Sequence, residues 1–393
     1  MKNWAFFFAL VKMSQNKESI KKQFFDKYDE DGGSKRNLTS WNLKLVGGLA
    51  IFWSLFQLWY ASPLPYLLDF GKFIDVPARA IHLAFGMSLC FLAYPSFRSG
   101  RNKKISFIDF IFVAISLIAT LYLYVDYEGL VNRQGILANF KIFNFIIPYE
   151  LLLGLFGIIL LLEATRRAIG TPLVIIALVF ILFSIFGQIM PNLISHQGLS
   201  FTRLVGYHWF GGEAIFGIPI SVSVSFIFLF VLFGSMLDAA GGGKYFLNLA
   251  FALVGKMRGG PAKAAILASG LTGLISGSSV ANTVTTGTFT IPIMKKTGLS
   301  AVKSGAIEVA ASVNGQMMPP IMGAAAFVMA ELLGISYFTV ITHAFLPAII
   351  SYIALFYISH LESVKLGIKG LSENEIPPLG KTFIGGIHFL IPI

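Results

Sequence analysis

The sequence predicts an all-α polytopic membrane protein built from transmembrane helices. Hydrophobic residues make up 55% of its 393 residues and charged residues only 12%, whereas soluble domains carry roughly 25% charged residues. Apolar runs of about twenty residues, the length that spans a bilayer as a helix, recur between short charged loops. A transmembrane β-barrel would instead alternate apolar and polar residues over segments of about ten. Helices are therefore the predicted structure.

Charge and cysteine content argue against two classes of function. The net charge of +11 comes mainly from a tail and from alternate loops, not from one basic patch with exposed aromatics, so we expect no nucleic-acid partner. The single cysteine, Cys90, lies in an apolar segment, so no internal disulfide and no cysteine-rich metal site are expected. No cofactor is predicted beyond a coupling ion.

Residues 1–42 are predicted to form a cytoplasmic tail. They carry eight Lys or Arg and five Asp or Glu residues. Their short apolar run, Trp4–Val11, lacks the small-residue cleavage site of a signal peptide. A cytoplasmic tail with an interfacial helix is the favoured interpretation.

Residues 43–190 form the first predicted membrane module. Its five apolar segments are Leu43–Ala61, Ala80–Phe97, Ile105–Val125, Phe143–Leu162 and Pro172–Met190. Each is long enough to cross a hydrocarbon core of roughly 30 Å at about 1.5 Å per residue. The loops after the second and fourth segments are net positive, which places them and the N-terminus in the cytoplasm.

A polar connector, residues 191–212, is the predicted boundary before a second module, residues 213–393. A sixth span, Glu213–Leu237, is expected to return the chain to the cytoplasm. Tyr245–Val254 is apolar but too short to cross. We expect it to lie at the membrane interface or against other helices.

The most informative stretch runs from Lys263 to Lys295, because both lysines are expected on the cytoplasmic side. Ala262–Ile275 would form about 21 Å of helix, which passes the midplane of the bilayer but does not cross it. The stretch therefore predicts a re-entrant helical hairpin with its tip at Ser276–Asn282. Backbone that leaves helical geometry at membrane depth lies in protein or beside water, so such a tip is a binding-site signal.

The span after this hairpin is predicted to be a broken helix. It starts at Ala301 and is interrupted at Asn314–Gln316 and at Pro319–Pro320 before Ile321–Leu333 completes it. Tyr337–Ser359 is the next predicted span. Phe383–Ile393 begins an apolar segment of only eleven residues, too short to cross, so we expect the sequence to stop partway through a larger membrane protein.

The hairpin tip and the broken helix both offer hydroxyl, amide and freed carbonyl oxygens, which suit Na⁺. The N-termini of the half-helices attract anionic groups. The candidate ligands of solute or ion are Ser276, Gly277, Ser278, Ser279, Asn282, Thr283 and Thr286 at the tip, and Asn314, Gly315, Gln316 and Pro319 at the second break. For Na⁺ itself the candidates are Ser276, Ser279, Asn282 and Asn314. The combination predicts ion-coupled transport of a carboxylate-type solute.

Two structural alternatives stay open at this site. Small hydroxyl residues also let helices pack closely and hydrogen-bond within a bundle. Glu308 could be a buried proton or ion partner, although pairing with Lys303 is the favoured interpretation. Asp109 is expected near the membrane interface, and Glu150 at a contact with another helix.

Two functional alternatives come from other classes. Gly277–Ser279 with His343 could suggest an intramembrane serine protease, but the stretch lacks the Gly-x-Ser-x-Gly elbow. A truncated membrane subunit that does not transport is the second alternative.

Four strings resemble the fused membrane subunit of tripartite ATP-independent periplasmic (TRAP) transporters of the TAXI type. They are Gly259–Lys263, Ser276–Asn282, Thr285–Pro292 and Gly315–Glu331. The resemblance covers residues 201–361 well, and residues 43–190 correspond more loosely to the small-subunit portion.

The resemblance implies an elevator-type secondary transporter of the bacterial inner membrane, acting as a Na⁺ (or H⁺) symporter. Such a permease takes an organic acid from a periplasmic solute-binding protein, here of the TAXI type. The large subunit of the family is an inverted repeat, and this chain ends near where the second repeat should begin. We therefore expect no transport by the 393 residues alone unless another polypeptide supplies the remainder.

Overall fold

The computed structural model describes residues 36, 38–96, 105–133, 136–142 and 145–391. Most of the predicted cytoplasmic tail, residues 1–42, lies outside the described residues. The helices are α1 (Ser40–Ala61), α2 (Leu64–Leu67), α3 (Asp75–Ala93), α4 (Phe107–Val125), α5 (Tyr127–Asn132), α6 (Tyr149–Ala168), α7 (Thr171–Ile185), α8 (Phe201–Val205), α9 (Ile218–Ala239), α10 (Gly242–Val254), α11 (Gly260–Ser276), α12 (Ser279–Lys296), α13 (Ala301–Gly315), α14 (Ala324–Leu333), α15 (Tyr337–Lys365) and α16 (Leu379–Gly386). Short 3₁₀ turns occupy Gly187–Ile189, Glu373–Glu375 and Ile387–Phe389, and π-helical turns Gly206–Phe210 and Ser223–Ile227.

The helical membrane architecture predicted from composition is confirmed. Within the described ranges, five helices are long and apolar enough to cross a membrane, namely α1 from Trp41 onward, α3, α4, α9 and α15. α7 and α14 are apolar but shorter. The described residues divide into two compact units, the first ending at Ser225 and the second beginning at Phe226. The predicted domain boundaries stay predictions.

The fourth predicted span, Phe143–Leu162, is wrong at its start. Phe145–Ile147 is a strand, β2, that pairs antiparallel with β1, Phe140–Ile142, in the register Phe140 opposite Ile147. The helix begins only after Pro148, its N-cap residue, because proline has no N–H and its ring clashes with a preceding helical turn. Hydropathy alone does not distinguish an apolar strand from the first turns of an apolar helix.

Other predicted boundaries move by a few residues. The second span starts at Asp75 instead of Ala80, with Pro77 tolerated in its first turn. The fifth ends at Ile185 instead of Met190. The sixth starts at Ile218, because Glu213–Gly217 forms turns. The last predicted segment is the short helix α16 followed by a 3₁₀ turn, and its final two residues lie outside the described part.

The first compact unit has one large apolar core among α3, α4, α6 and α8. Trp209, in the π-helical turn after α8, is fully buried and its indole N–H donates to Ala119 O over 3.1 Å. A Cβ at Gly157 would lie 2.3 Å from the Trp209 ring, so only glycine lets α6 approach this closely. The predicted connector therefore contributes to a packed core.

Two carboxylates anchor this unit. Asp109, expected near the membrane interface, is fully buried in protein and pairs with Arg167 Nη1 at 2.7 Å and with Arg36. Glu150 is also fully buried and accepts a hydrogen bond from Tyr122 on α4 over 2.6 Å, so the expected contact with another helix is confirmed.

Candidate functional site

The helical hairpin predicted from the sequence is present. α11 ends at Ser276, Gly277 adopts φ +56°, and α12 begins at Ser279. Asn282 Nδ2 donates to Ser269 O over 2.8 Å, so the two helices run antiparallel from the tip. Lys263 and Lys295 consequently lie at the same end of the hairpin, opposite the tip. The left-handed backbone of Gly277 is what glycine permits at a helix C-terminus.

The tip is shorter than predicted, because Ser279–Asn282 already form the first turn of α12. Ser278 caps this helix by accepting the N–H of Ala281 over 3.3 Å. Thr283 Oγ1 donates to the Ser279 carbonyl over 2.9 Å. Ser276 Oγ is buried and has no hydrogen-bond partner among the described residues. Ser276 therefore offers a free oxygen at the tip.

The predicted helix break is also present. α13 ends at Gly315 and α14 begins at Ala324, three residues later than predicted. The Pro319–Pro320 bond between them is cis, and Pro319 is buried. The hydroxyl of Tyr337 lies 2.8 Å from Pro320 O and 2.6 Å from Ile321 O, which fixes the non-helical segment against α15.

The hairpin tip and the helix break lie against each other. Gln316 Nε2 donates to Ser279 Oγ over 3.0 Å. A Cβ at Gly277 would lie 2.2 Å from Met322 O, and one at Gly315 would lie 2.8 Å from Asn282 Nδ2. Both halves of the predicted site are thus brought together.

The remaining predicted ligands have structural contacts. Asn314 is half-buried and its carbonyl accepts the N–H of Met317 over 3.0 Å. Thr286 is buried and donates to the Asn282 carbonyl over 2.8 Å, on the side of α12 that faces α11. Binding of a solute or ion by these residues stays a prediction.

Four helix ends meet at this junction. The C-termini of α11 and α13 carry partial negative charge, and the N-termini of α12 and α14 carry partial positive charge. Gly323, the N-cap of α14, has no side chain with which to cap the first N–H groups. The junction can therefore present carbonyl and hydroxyl oxygens to a cation and free N–H groups to an anion.

Sequence reasoning assigned Glu308 the wrong partner. Lys303 pairs with Glu362 on α15, while Glu308 is fully buried between α13 and the hairpin. Its carboxylate contacts the hydroxyls of Thr286 and Thr290, and lies 3.2 Å from that of Ser269.

A polar row in the sequence could have located this cluster. Ser269, Thr272 and Ser276 follow the three- and four-residue spacing of one helix face, and Ser304, Glu308 and Ser312 repeat every four residues. Five of these six residues are buried where α11 packs on α13. Ser276 is partly exposed as a residue, although its Oγ atom is buried. Two matching polar stripes, one on α11 and one on α13, predict that these helices contact each other.

Lys263 is buried at the other end of the hairpin. Its Nζ lies 3.1 Å from His360 Nδ1 and 5.0 Å from the centre of the Phe356 ring. These contacts tie the start of α11 to α15.

A family model supplies the comparison that decides the class of this protein. The model described as "Tripartite ATP-independent periplasmic transporter, DctM component" matches residues 156–393, more than half of the chain. The chain belongs to the DctM family. This DctM chain is therefore a membrane component of a transporter family and not an enzyme, so the serine-protease alternative is wrong.

Two curated proteins are similar to this DctM chain. The uncharacterized protein YgiK of Salmonella typhimurium (strain LT2) is 32% identical over 219 residues, covering 56% of this chain and 46% of YgiK. The "Putative TRAP transporter large permease protein" of Haemophilus influenzae (strain Rd) is 33% identical over 100 residues, covering 25% of this chain and 24% of that protein. The chain spans less than half the length of either relative. Membership of the TAXI type stays a prediction.

Proposed function

We propose that this DctM chain is part of the permease of a secondary active TRAP transporter that takes up an organic, carboxylate-type solute with Na⁺ (or H⁺). The observation that carries the proposal is the contact between the hairpin tip and the helix break. It gathers hydroxyl oxygens, helix C-termini and uncapped N–H groups in one place.

Among the four candidate Na⁺ ligands, Ser276 and Asn282 are the strongest. Ser276 Oγ has no partner in the part of the chain that the structure describes, so an ion would supply one. The Asn282 side chain is oriented by its Nδ2 bond to Ser269 O, while Oδ1 has only a 3.5 Å contact with Thr286. An amide oxygen held in this way is a suitable hard ligand.

The same proposal includes the partners and the location. The solute would be delivered by a periplasmic binding protein of the TAXI type to a permease in the bacterial inner membrane, with the N-terminus in the cytoplasm. The alternation of positive loops supports this orientation. The uncapped N-terminus of α14 supports an anionic solute, because its N–H groups favour a carboxylate.

Thermal unfolding of the purified full chain tests the ion site. Ligand that binds only the folded state stabilises it by about 2.7 kcal/mol at a hundred times its Kd. We expect Na⁺, compared with K⁺, to raise the Tm of the wild type and to leave that of Ser276→Ala unchanged. Ser276→Ala breaks no hydrogen bond within the described protein, so it should fold.

Thr288→Ala is the matched control, because Thr288 is an exposed hydroxyl residue on α12 whose bond stays within its own helix. It should keep the Na⁺ response. A wild type without a Na⁺-dependent Tm, or an equal response in Ser276→Ala, would argue against the proposed Na⁺ site.

A further inference from the structure

Glu308 differs from the other fully buried carboxylates in having no basic partner. Asp109, Glu150 and Glu308 each have no solvent exposure. Asp109 pairs with Arg167 at 2.7 Å and Glu150 pairs with Arg133. No Lys, Arg or His nitrogen of the described residues lies within 4 Å of the Glu308 carboxylate, which contacts only hydroxyls.

The charged groups on the neighbouring helices are engaged elsewhere or exposed. The titratable residues on the helices packed against α13 are Lys263 on α11, Lys295 and Lys296 on α12, and Tyr337, His343, Tyr352, Tyr357, His360, Glu362 and Lys365 on α15, with Lys303 on α13 itself. Lys263 contacts His360, and Lys303 pairs with Glu362. Lys295 and Lys296 are exposed at the end of α12. Tyr352, which interacts electrostatically with Glu308, donates its hydroxyl to Ala311 O over 2.9 Å.

Hydroxyl groups surround the Glu308 carboxylate. Ser269, Thr286 and Thr290 contact it, and Ser312, four residues further along α13, also lies beside it. A hydroxyl can donate to an ionised carboxylate or accept from a protonated one. None of these groups carries a charge that would balance a buried carboxylate.

A proton on Glu308 is compatible with these contacts. With Oε2 protonated, Glu308 donates to Thr290, Thr290 donates to the Thr286 carbonyl, Thr286 donates to the Asn282 carbonyl, and Ser269 donates to Glu308 Oε1. An isolated ionised carboxylate in such a site would carry a large desolvation cost.

We propose that Glu308 is a proton-binding site, occupied in this conformation, at the contact of α13 with the hairpin.

Of the predicted tip ligands, Thr286 contacts the Glu308 carboxylate, whereas no hydrogen bond within the described residues joins Glu308 to the four Na⁺ candidates. Glu308 precedes Gly315, the end of α13, by seven residues, which is about 10 Å along the helix. Release of its proton would place an unpaired charge between α13, α11 and α12. The inference rests on the geometry of this cluster and does not require that the chain transports a solute.

Infrared spectroscopy of the purified full chain tests the proposal directly. We expect the wild type at neutral pH to show the carbonyl band of a protonated carboxyl group, and Glu308→Gln to lack it. Glu331→Gln, which changes an exposed glutamate on α14, is the matched control and should keep the band. A wild type without the band, or a Glu308→Gln variant that retains it, would overturn the proposal.

The pH dependence of the Tm is a second, independent readout. If the folded protein holds a proton that the unfolded chain releases, the wild type loses stability as the pH rises. Glu308→Gln mimics the neutral acid, because its amide can still donate to Thr290, so its Tm should show a smaller decrease with rising pH. Equal pH profiles of the wild type and Glu308→Gln would contradict a proton at Glu308.

Discussion

Asp109 is the residue on which the ion-pair network of the first compact unit depends. It pairs with two arginines and accepts the N–H of Ser106 over 3.1 Å, which caps α4. Asp109→Ala would leave the buried guanidinium of Arg167 with Glu163 alone as its carboxylate partner, and would remove the carboxylate that pairs with Arg36. Removing one partner of a buried pair costs about 3–5 kcal/mol, so we expect a clearly lower Tm in thermal unfolding.

The exposed pair of Glu373 with Lys256 provides the control for this prediction. Both side chains are largely solvent-accessible, and exposed pairs contribute little. Glu373→Ala should leave the Tm almost unchanged. Equal effects of the two alanine substitutions would contradict the assigned role of Asp109.

Tyr337 holds the helix break through its hydroxyl, while its ring stacks on Phe327 at 4.1 Å between centroids. Tyr337→Phe keeps the ring and removes the hydrogen bond to the backbone of the break. We expect a loss of about 0.5–1.5 kcal/mol in stability. Tyr357→Phe, at a 60% exposed position on the same helix, should have no effect. A Tyr337→Phe variant as stable as the wild type would show that the hydroxyl does not fix the break.

Residue-level prediction succeeded where polar residues interrupted an apolar segment and was wrong where a partner lay far away in the sequence. The small polar residues of Ser276–Asn282 and the two prolines predicted the hairpin and the break from local chemistry alone. Glu308 was paired with Lys303 because the two are close in sequence. The structure gives Lys303 a partner 59 residues away, which no local pattern could have indicated.

At the scale of elements, glycines decide how closely the hairpin packs on α13. A Cβ at Gly273 would lie 2.7 Å from Gly315 Cα, so the backbones of α11 and α13 are nearly in contact. Gly273→Ala should push the helices apart at a cost of about 1–3 kcal/mol. Thermal unfolding, with and without Na⁺, would measure the loss.

Gly305 on α13 is the matched control, because a Cβ there meets nothing within 4 Å. Gly305→Ala should stabilise the helix by up to about 1 kcal/mol, since alanine has the higher helix propensity. A destabilising Gly305→Ala with a neutral Gly273→Ala would contradict the packing described here.

Periodicity and length predicted whether a segment is a helix more reliably than they predicted the residues at which it begins and ends. The hairpin helices and the two halves of the broken span were predictable because prolines, glycines and lysines mark their limits. Tyr245–Val254 was expected to lie at the membrane interface or against other helices, and the structure shows α10 packed against α11. The strand Phe145–Ile147 was missed because its apolar residues continue directly into α6.

At the scale of the whole molecule, family membership and the internal geometry of the second compact unit both support the proposal that the chain is part of a permease with a re-entrant hairpin. The DctM family model covers all of that unit from Phe226 onward. The hairpin places its charged ends together and its polar tip against the helix break.

The most direct test of this account is the sidedness of the two ends of the hairpin. Arg258 and Lys295 are exposed and flank α11 and α12, and Cys90 is the one native cysteine, so Arg258→Cys and Lys295→Cys can be introduced separately into a Cys90→Ala background. Labelling with a membrane-impermeant maleimide in intact cells and in inverted vesicles reports the side of each position. We expect both positions to react from the cytoplasmic side only. Reaction of the two positions from opposite sides would show that the segment crosses the membrane, and would contradict the re-entrant hairpin.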